Sequence, residues 1–146
     1  MKLAAEQMTM LPSFFANIPD PRRTRGRRHS LRTVLSISAA AVLCGMSGYK
    51  AIAGWAEDLG QKARARFGCR RVDDYYHVPS ESIIRDVLVR VSPDALDSGL
   101  QKWNAIYGSQ DTALAVDGKT MCNAIDDEGN QTHIMSIVGH EKQIIA

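Results

Sequence analysis

Between residues 31 and 107 the apolar side chains recur at steps of three and four, which puts them on one face of successive helices. The segment at about 31–45 is the most apolar: Leu31, Val34, Leu35 and Val42 leave it little polar surface, so it predicts a buried central helix. Ser30 can cap its start, and Gly45 and Gly48 close its end. Tyr49, Ile52, Ala56, Leu59 and Ala63 define one face of a second helix, with Gly68 as its terminator and Lys50, Glu57, Asp58, Lys62 and Arg66 on the opposite side. A polar loop over 70–78 follows. Pro79-Ser80-Glu81 then starts a helix carrying Ile83, Ile84, Val87, Leu88 and Val91. Ser92-Pro93-Asp94 is a stronger start signal. It combines a capping hydroxyl, a proline whose missing N–H costs nothing in the first turn, and an acid that complements the helix dipole. Leu96, Leu100, Trp103 and Tyr107 form the stripe of that helix, so Trp103, like Trp55 before it, is expected in the core.

The two ends of the chain read differently. Residues 1–18 are mildly amphipathic through Leu3, Met8, Leu11, Phe14, Phe15 and Ile18, with room for a short helix that Pro19 and Pro21 stop. At Gly108 the period shifts from helical to extended. Residues 112–116 and 132–138 are β-rich, with a polar turn over 126–130, and a third strand begins at about 142. The pattern is therefore α+β: an N-terminal all-α domain over 1–107, then a three-stranded antiparallel start over 108–146. Three strands with no covering helix make a poor domain by themselves.

Composition adds a charge asymmetry. The 146 residues are 45% hydrophobic and 23% charged with a net charge of +2, which excludes both pervasive disorder and a polybasic chain that binds by bulk charge. Residues 1–33, however, hold seven basic side chains against two acids, and the rest of the chain eleven against fourteen. Six of the seven are Arg22, Arg23, Arg25, Arg27, Arg28 and Arg32. Such a basic arm over 22–32 fits a polyanion, because each guanidinium can fork onto phosphate oxygens and release condensed counterions. The competing reading is a solvated loop whose arginines pair with acids of the body. Cys44, Cys69 and Cys122 form no CxxC pair and read as reduced thiols, which makes the cytoplasm the natural compartment. The apolar run over 31–46 is broken by Arg32, Ser36 and Ser38 and falls short of the ~18–20 residues of a membrane span, so no membrane is expected as a partner.

Candidate chemistry centres on Ala115-Val116-Asp117-Gly118-Lys119-Thr120. An acid at the end of an apolar strand is held rigidly and suits a hard divalent cation, although Asp-Gly is also an ordinary strand-to-turn pair. A phosphate-binding loop is excluded, since position 113 is Ala where the motif needs glycine. The acids Asp126, Asp127 and Glu128 read as a solvated turn, and Cys122, His133 and His140 match no zinc spacing.

The order Asp20-Pro21-Arg22, Gly26, Arg28-His29, a small-residue apolar helix, Ile52 with Trp55, Pro79-Ser80, Ser92-Pro93-Asp94, Trp103 and the 115–120 motif resembles bacterial insertion-sequence transposases of the H-repeat-associated family. The similarity runs from Pro19 nearly to the end. It implies a helical transposase-associated domain before an RNase H-like DDE domain, with Asp117 as the first catalytic carboxylate and a ligand of Mg2+. The partners it implies are DNA, both element ends and target, and it leaves room for a homo-oligomer. The sequence departs from the family at Met121-Cys122-Asn123-Ala124, where a leucine and a basic, glycine-containing turn are usual. The later carboxylates would fall beyond Ala146, so the expectation is an inactive N-terminal fragment of a transposase. The alternative is a non-catalytic DNA-binding remnant or accessory protein.

Overall fold

A computed structural model describes residues 10–107 and the two strands 114–125 and 131–139. The elements in chain order are α1 (Leu11–Phe14), a 3-10 turn (Thr24–Gly26), α2 (Leu31–Leu43), α3 (Tyr49–Glu57), α4 (Gln61–Arg66), β1 (Arg70–Val72), β2 (Tyr75–His77), α5 (Glu81–Arg90), α6 (Pro93–Tyr107), β3 (Leu114–Ile125) and β4 (Gln131–Gly139). The chain is α+β and mostly helical. Two compact units divide it between Gly99 and Leu100.

Helix α2 is the centre of the helical unit. It packs against α1, α3 and α5, and Leu31, Val34, Leu35, Ile37, Ala40 and Ala41 are all buried. The sequence-predicted cap is present, with Ser30 Oγ accepting from the Thr33 amide at 3.2 Å. The helix also buries Ser36 and Ser38, whose hydroxyls donate to the carbonyls of Arg32 and Val34 one turn back. These bonds satisfy polar groups that water cannot reach, and so allow hydroxyls inside an apolar layer. Gly45 takes the left-handed conformation that ends the helix, with φ of 87°.

The helix expected over 49–63 is two helices. The chain leaves helical geometry at Gly60, which is extended with ψ of 158°, and α4 starts afresh. Arg64 closes the corner by donating from Nε to the Leu59 carbonyl at 2.7 Å and from Nη2 to the Glu57 carbonyl at 2.6 Å. Apolar spacing continues through the break, and that is why the pattern does not reveal it. Gly68, with φ of 73°, ends α4 while the Cys69 amide donates back to the Arg64 carbonyl.

The segment expected as a polar loop over 70–78 is a β-hairpin. Arg70 pairs with His77, Arg71 with Tyr76 and Val72 with Tyr75. Asp73 and Asp74 form the two-residue turn, both at positive φ (47° and 65°), a conformation that aspartate tolerates better than most residues. Helix α5 buries Ile84 and Val87 against α2 and α3. Ser92 caps α6 as expected, accepting from the Ala95 amide at 3.3 Å. Gly99 of α6 lets α1 approach closely: a Cβ there would lie 3.1 Å from the Phe14 carbonyl and 3.2 Å from the Phe15 ring. Trp103 is 2% exposed, in agreement with its place on the stripe, and Trp55 meets Phe67 edge-on at 6.4 Å.

In the second unit β3 and β4 form an antiparallel pair, with Asp117 opposite Ser136 and Thr120 opposite His133. Strand β3 runs to Ile125, so Asp117 lies within it and not at its end. The cross-strand ladder continues through the Asp-Gly pair and overrides its turn preference. The register becomes irregular between Thr120 and Ile125. The turn over 126–130 and the third strand expected from 142 lie outside the described residues.

Candidate nucleic-acid interface

The arginine-rich segment is not an extended arm. Pro19 and Pro21 force a bend, and Asp20 between them accepts two hydrogen bonds from the Arg22 side chain, from Nε at 3.0 Å and Nη2 at 2.8 Å, and one from the Arg22 amide at 3.0 Å. Arg22 Nη2 also donates to the His29 carbonyl at 2.8 Å, which closes the chain between Arg22 and His29 into a loop. Arg27 folds back over that loop, donating from Nε and Nη2 to the Arg22 carbonyl at 3.0 and 2.7 Å and from Nη2 to the Asp20 carbonyl at 3.2 Å. The 3-10 turn at Thr24–Gly26 fits inside this closure.

This arrangement corrects the expected role of Arg22. At 4% exposure it is the brace of the loop and not a side chain available to an external anion, because the sequestered Asp20 carboxylate and a backbone carbonyl occupy its donors. Arg27 is exposed but shares its Nε and Nη2 with the loop backbone. Arg23, Arg25, Arg28 and Arg32 are exposed and make no ion pair among the described residues. Within the run, Arg22 and Arg27 hold the loop together, and the other arginines stand exposed on it.

Electrostatics follow from the packing. Burial pushes the Asp20 carboxyl up, but the hydrogen bonds and charge of Arg22, with the charge of Arg27, outweigh it and hold Asp20 below its ordinary value. His29, 8% exposed, is held below the usual imidazole range first by burial and then by the charges of Arg70, Arg22 and His77. Its Nδ1 is buried and lacks a hydrogen-bond partner among the described residues. Sequence reasoning assigned no role at the site to Asp20, His29, Arg70 or His77. The alternation Arg70-Arg71-Val72 and Tyr75-Tyr76-His77 around two aspartates was the available signal for the hairpin.

Asp117 is the other candidate. Neither β3 nor β4 contains a second Asp or Glu, and the residue opposite Asp117 is Ser136. Among the described residues no group of three His, Cys, Asp or Glu side chains is placed to hold a metal ion. A two-magnesium centre needs several carboxylates converging on the ions, and of these β3 and β4 supply one, Asp117. No helix of the described residues is long and apolar enough to cross a membrane.

Fold and site together define a class: an α+β chain whose helix-rich part displays arginines from a braced loop. Residues 13–104 match the family model described as DDE_Tnp_1-associated, and the chain belongs to that family. This places it among transposase-associated proteins. It is also 33% identical over 135 residues to a Xanthobacter autotrophicus protein described as "Uncharacterized protein in dhlA 3'region", a match covering 83% of this chain and 42% of that relative. The chain thus spans about two fifths of the relative's length. No solved structure matches it.

Proposed function

We propose that the chain serves DNA transposition as the N-terminal part of a DDE-type transposase of the H-repeat-associated kind, and that its helical unit holds the DNA backbone. The observation that carries DNA contact is the sorting of the arginines. Arg22 is consumed in building the loop, and Arg23, Arg25, Arg28 and Arg32 are left exposed and unpaired with acids among the described residues. A loop whose backbone is already closed suits phosphate contact, because little backbone freedom remains to be lost when its exposed guanidinium groups bind. The contact is independent of sequence, since phosphates position a protein without reporting the bases.

In this reading Asp117 is the first carboxylate of an RNase H-like nuclease site and a magnesium ligand in the assembled enzyme, with its partner carboxylates outside the described residues. The mid-strand position of Asp117, opposite Ser136, supports a backbone held in place by the β3–β4 ladder. The second reading, a DNA-binding accessory chain without nuclease activity, is favoured by the absence of another carboxylate in those two strands.

Salt-dependent binding to a random duplex tests the DNA contact. Replacing Arg23, Arg25, Arg28 and Arg32 by alanine is expected to flatten the plot of log K against log salt by about 0.9 for each phosphate that the variant leaves unneutralised. A slope equal to that of the wild type, in a variant with an unchanged melting curve, would overturn the reading.

A further inference from the structure

The β1–β2 hairpin lies beside the arginine loop for a reason visible in the hydrogen bonds. Thr33 in the first turn of α2 donates from Oγ1 to the Gly68 carbonyl at 3.0 Å, and Gly68 is two residues before Arg70. The end of the loop, Arg28-His29-Ser30, and the start of β1 are therefore pinned to each other. The charges of Arg70 and His77 reach His29.

The hairpin is also oriented. The N–H and C=O of Tyr76 are taken by Gln61 and Arg64 of α4, at 2.6 Å from the amide to Gln61 Oε1 and at 3.3 and 3.1 Å to the carbonyl. That closes the outer edge of β2. Opposed residues of an antiparallel pair share a face, and alternate residues along each strand return to it. Arg70, His77, Val72 and Tyr75 thus lie on one face, and Arg71 and Tyr76 on the other. On the second face Arg71 is neutralised by an ion pair with Asp74. On the first, Arg70 and His77 are exposed, Arg70 has no ion pair among the described residues, and Tyr75 is 64% exposed. Asp73 is at the turn, beyond the Val72–Tyr75 pair and away from the Arg70–His77 pair.

We propose that the Arg70–His77–Tyr75 face of the hairpin is a second phosphate-backbone contact for duplex DNA, continuous with the arginine loop through the Thr33–Gly68 tie. It rests on the reading of the loop as a DNA contact. The occupant is set by charge and hydrogen bonding: an exposed guanidinium beside an exposed imidazole and phenol suits a sugar-phosphate strand, where the guanidinium forks onto phosphate oxygens and the ring N–H and phenol hydroxyl donate to others. The loop and hairpin together hold more phosphates than the loop alone, and that raises both affinity and its salt dependence.

The test is the salt slope for a short random duplex. Arg70→Ala with His77→Ala is expected to lower the slope by about 0.9, while Arg71→Ala on the paired face leaves it at the wild-type value. A slope unchanged in the double variant but reduced in the loop variant would overturn the hairpin contact and leave the loop reading standing. No reduction in either variant would overturn both. An equal reduction in Arg71→Ala would show a general charge effect and also overturn the face-specific contact. Should the double variant not fold, the wild-type protein titrated with the duplex decides by amide chemical shifts. Changes at 69–77 as well as at 23–32 are expected, and changes confined to 23–32 would refute the proposal.

Discussion

Arg22 and Asp20 grip each other through two side-chain hydrogen bonds, the shorter of them a 2.8 Å ion-pair contact, with the Arg22 side chain only 3% exposed. The same guanidinium reaches the His29 carbonyl, so one residue holds both ends of the arginine-rich loop. A residue that sequence composition assigns to anion binding thereby closes the backbone that carries the neighbouring arginines.

Breaking this pair from the arginine side leaves the largely buried Asp20 carboxylate with only the 3.5 Å contact to Arg27. Arg22→Ala is expected to destabilise the helical unit by about 3 kcal/mol, at the lower end for a buried pair because the Asp20 side chain keeps 16% exposure. Arg22→Lys should recover only part of that loss, since an ammonium cannot reproduce the forked contact. Urea unfolding of the two variants checks both statements, and a Lys variant as stable as wild type would contradict the role of the fork.

The pH dependence of stability has a definite sign. His29 is held below its ordinary value of 6.5 in the folded protein, so the unfolded chain takes up the proton first. The stabilising contribution of neutral His29 is whole above pH 6.5 and is lost as pH falls through the depressed folded value. Asp20, held below 3.8, adds a second loss at more acid pH as its carboxylate protonates. His29→Gln should remove the decline that begins near neutrality and leave the acid one. Melting temperatures from about pH 3 to about pH 8 measure this, and an unaltered profile in the variant would assign the decline elsewhere.

Gly68 adopts a φ of 73°, and a Cβ there would lie 3.3 Å from Thr33 Oγ1. Gly68→Ala is expected to cost about 1–2 kcal/mol through the left-handed backbone alone. The added methyl also crowds the hydroxyl that ties α2 to the start of β1. Combining it with Thr33→Ala should give less than the sum of the single effects, because the two residues share one contact. Full additivity in denaturant unfolding would mean that the tie is not the site of the strain.

Residues 1–146 purified by themselves are expected neither to nick nor to join DNA with magnesium or manganese. Two-metal phosphoryl transfer needs carboxylates converging on ions about 3.5–4 Å apart, and β3 and β4 contain Asp117 alone. Metal-dependent cleavage of a duplex, abolished in Asp117→Ala, would falsify this expectation and show that a complete carboxylate set assembles by another route.

The amino-acid sequence by itself determined the helical character of residues 31–107, the buried central helix, the caps at Ser30 and Ser92, the burial of Trp103 and the extended strands after Gly108. These follow from local physics: apolar spacing and capping hydroxyls act within one turn of helix, and alternation acts along one strand. Tertiary structure decided the rest. Nothing local in 22–29 separates Arg22 from its neighbours; its burial depends on Asp20, the His29 carbonyl and the closed loop arriving together. The break at Gly60 depends on Arg64 finding two carbonyls, and the tie between α2 and the start of β1 depends on Thr33, 35 residues from Gly68 in the chain. The extension of β3 through Asp117 and Gly118 rests on the partner residues Ser136 and Met135, since a cross-strand ladder can outweigh the turn preference of a dipeptide.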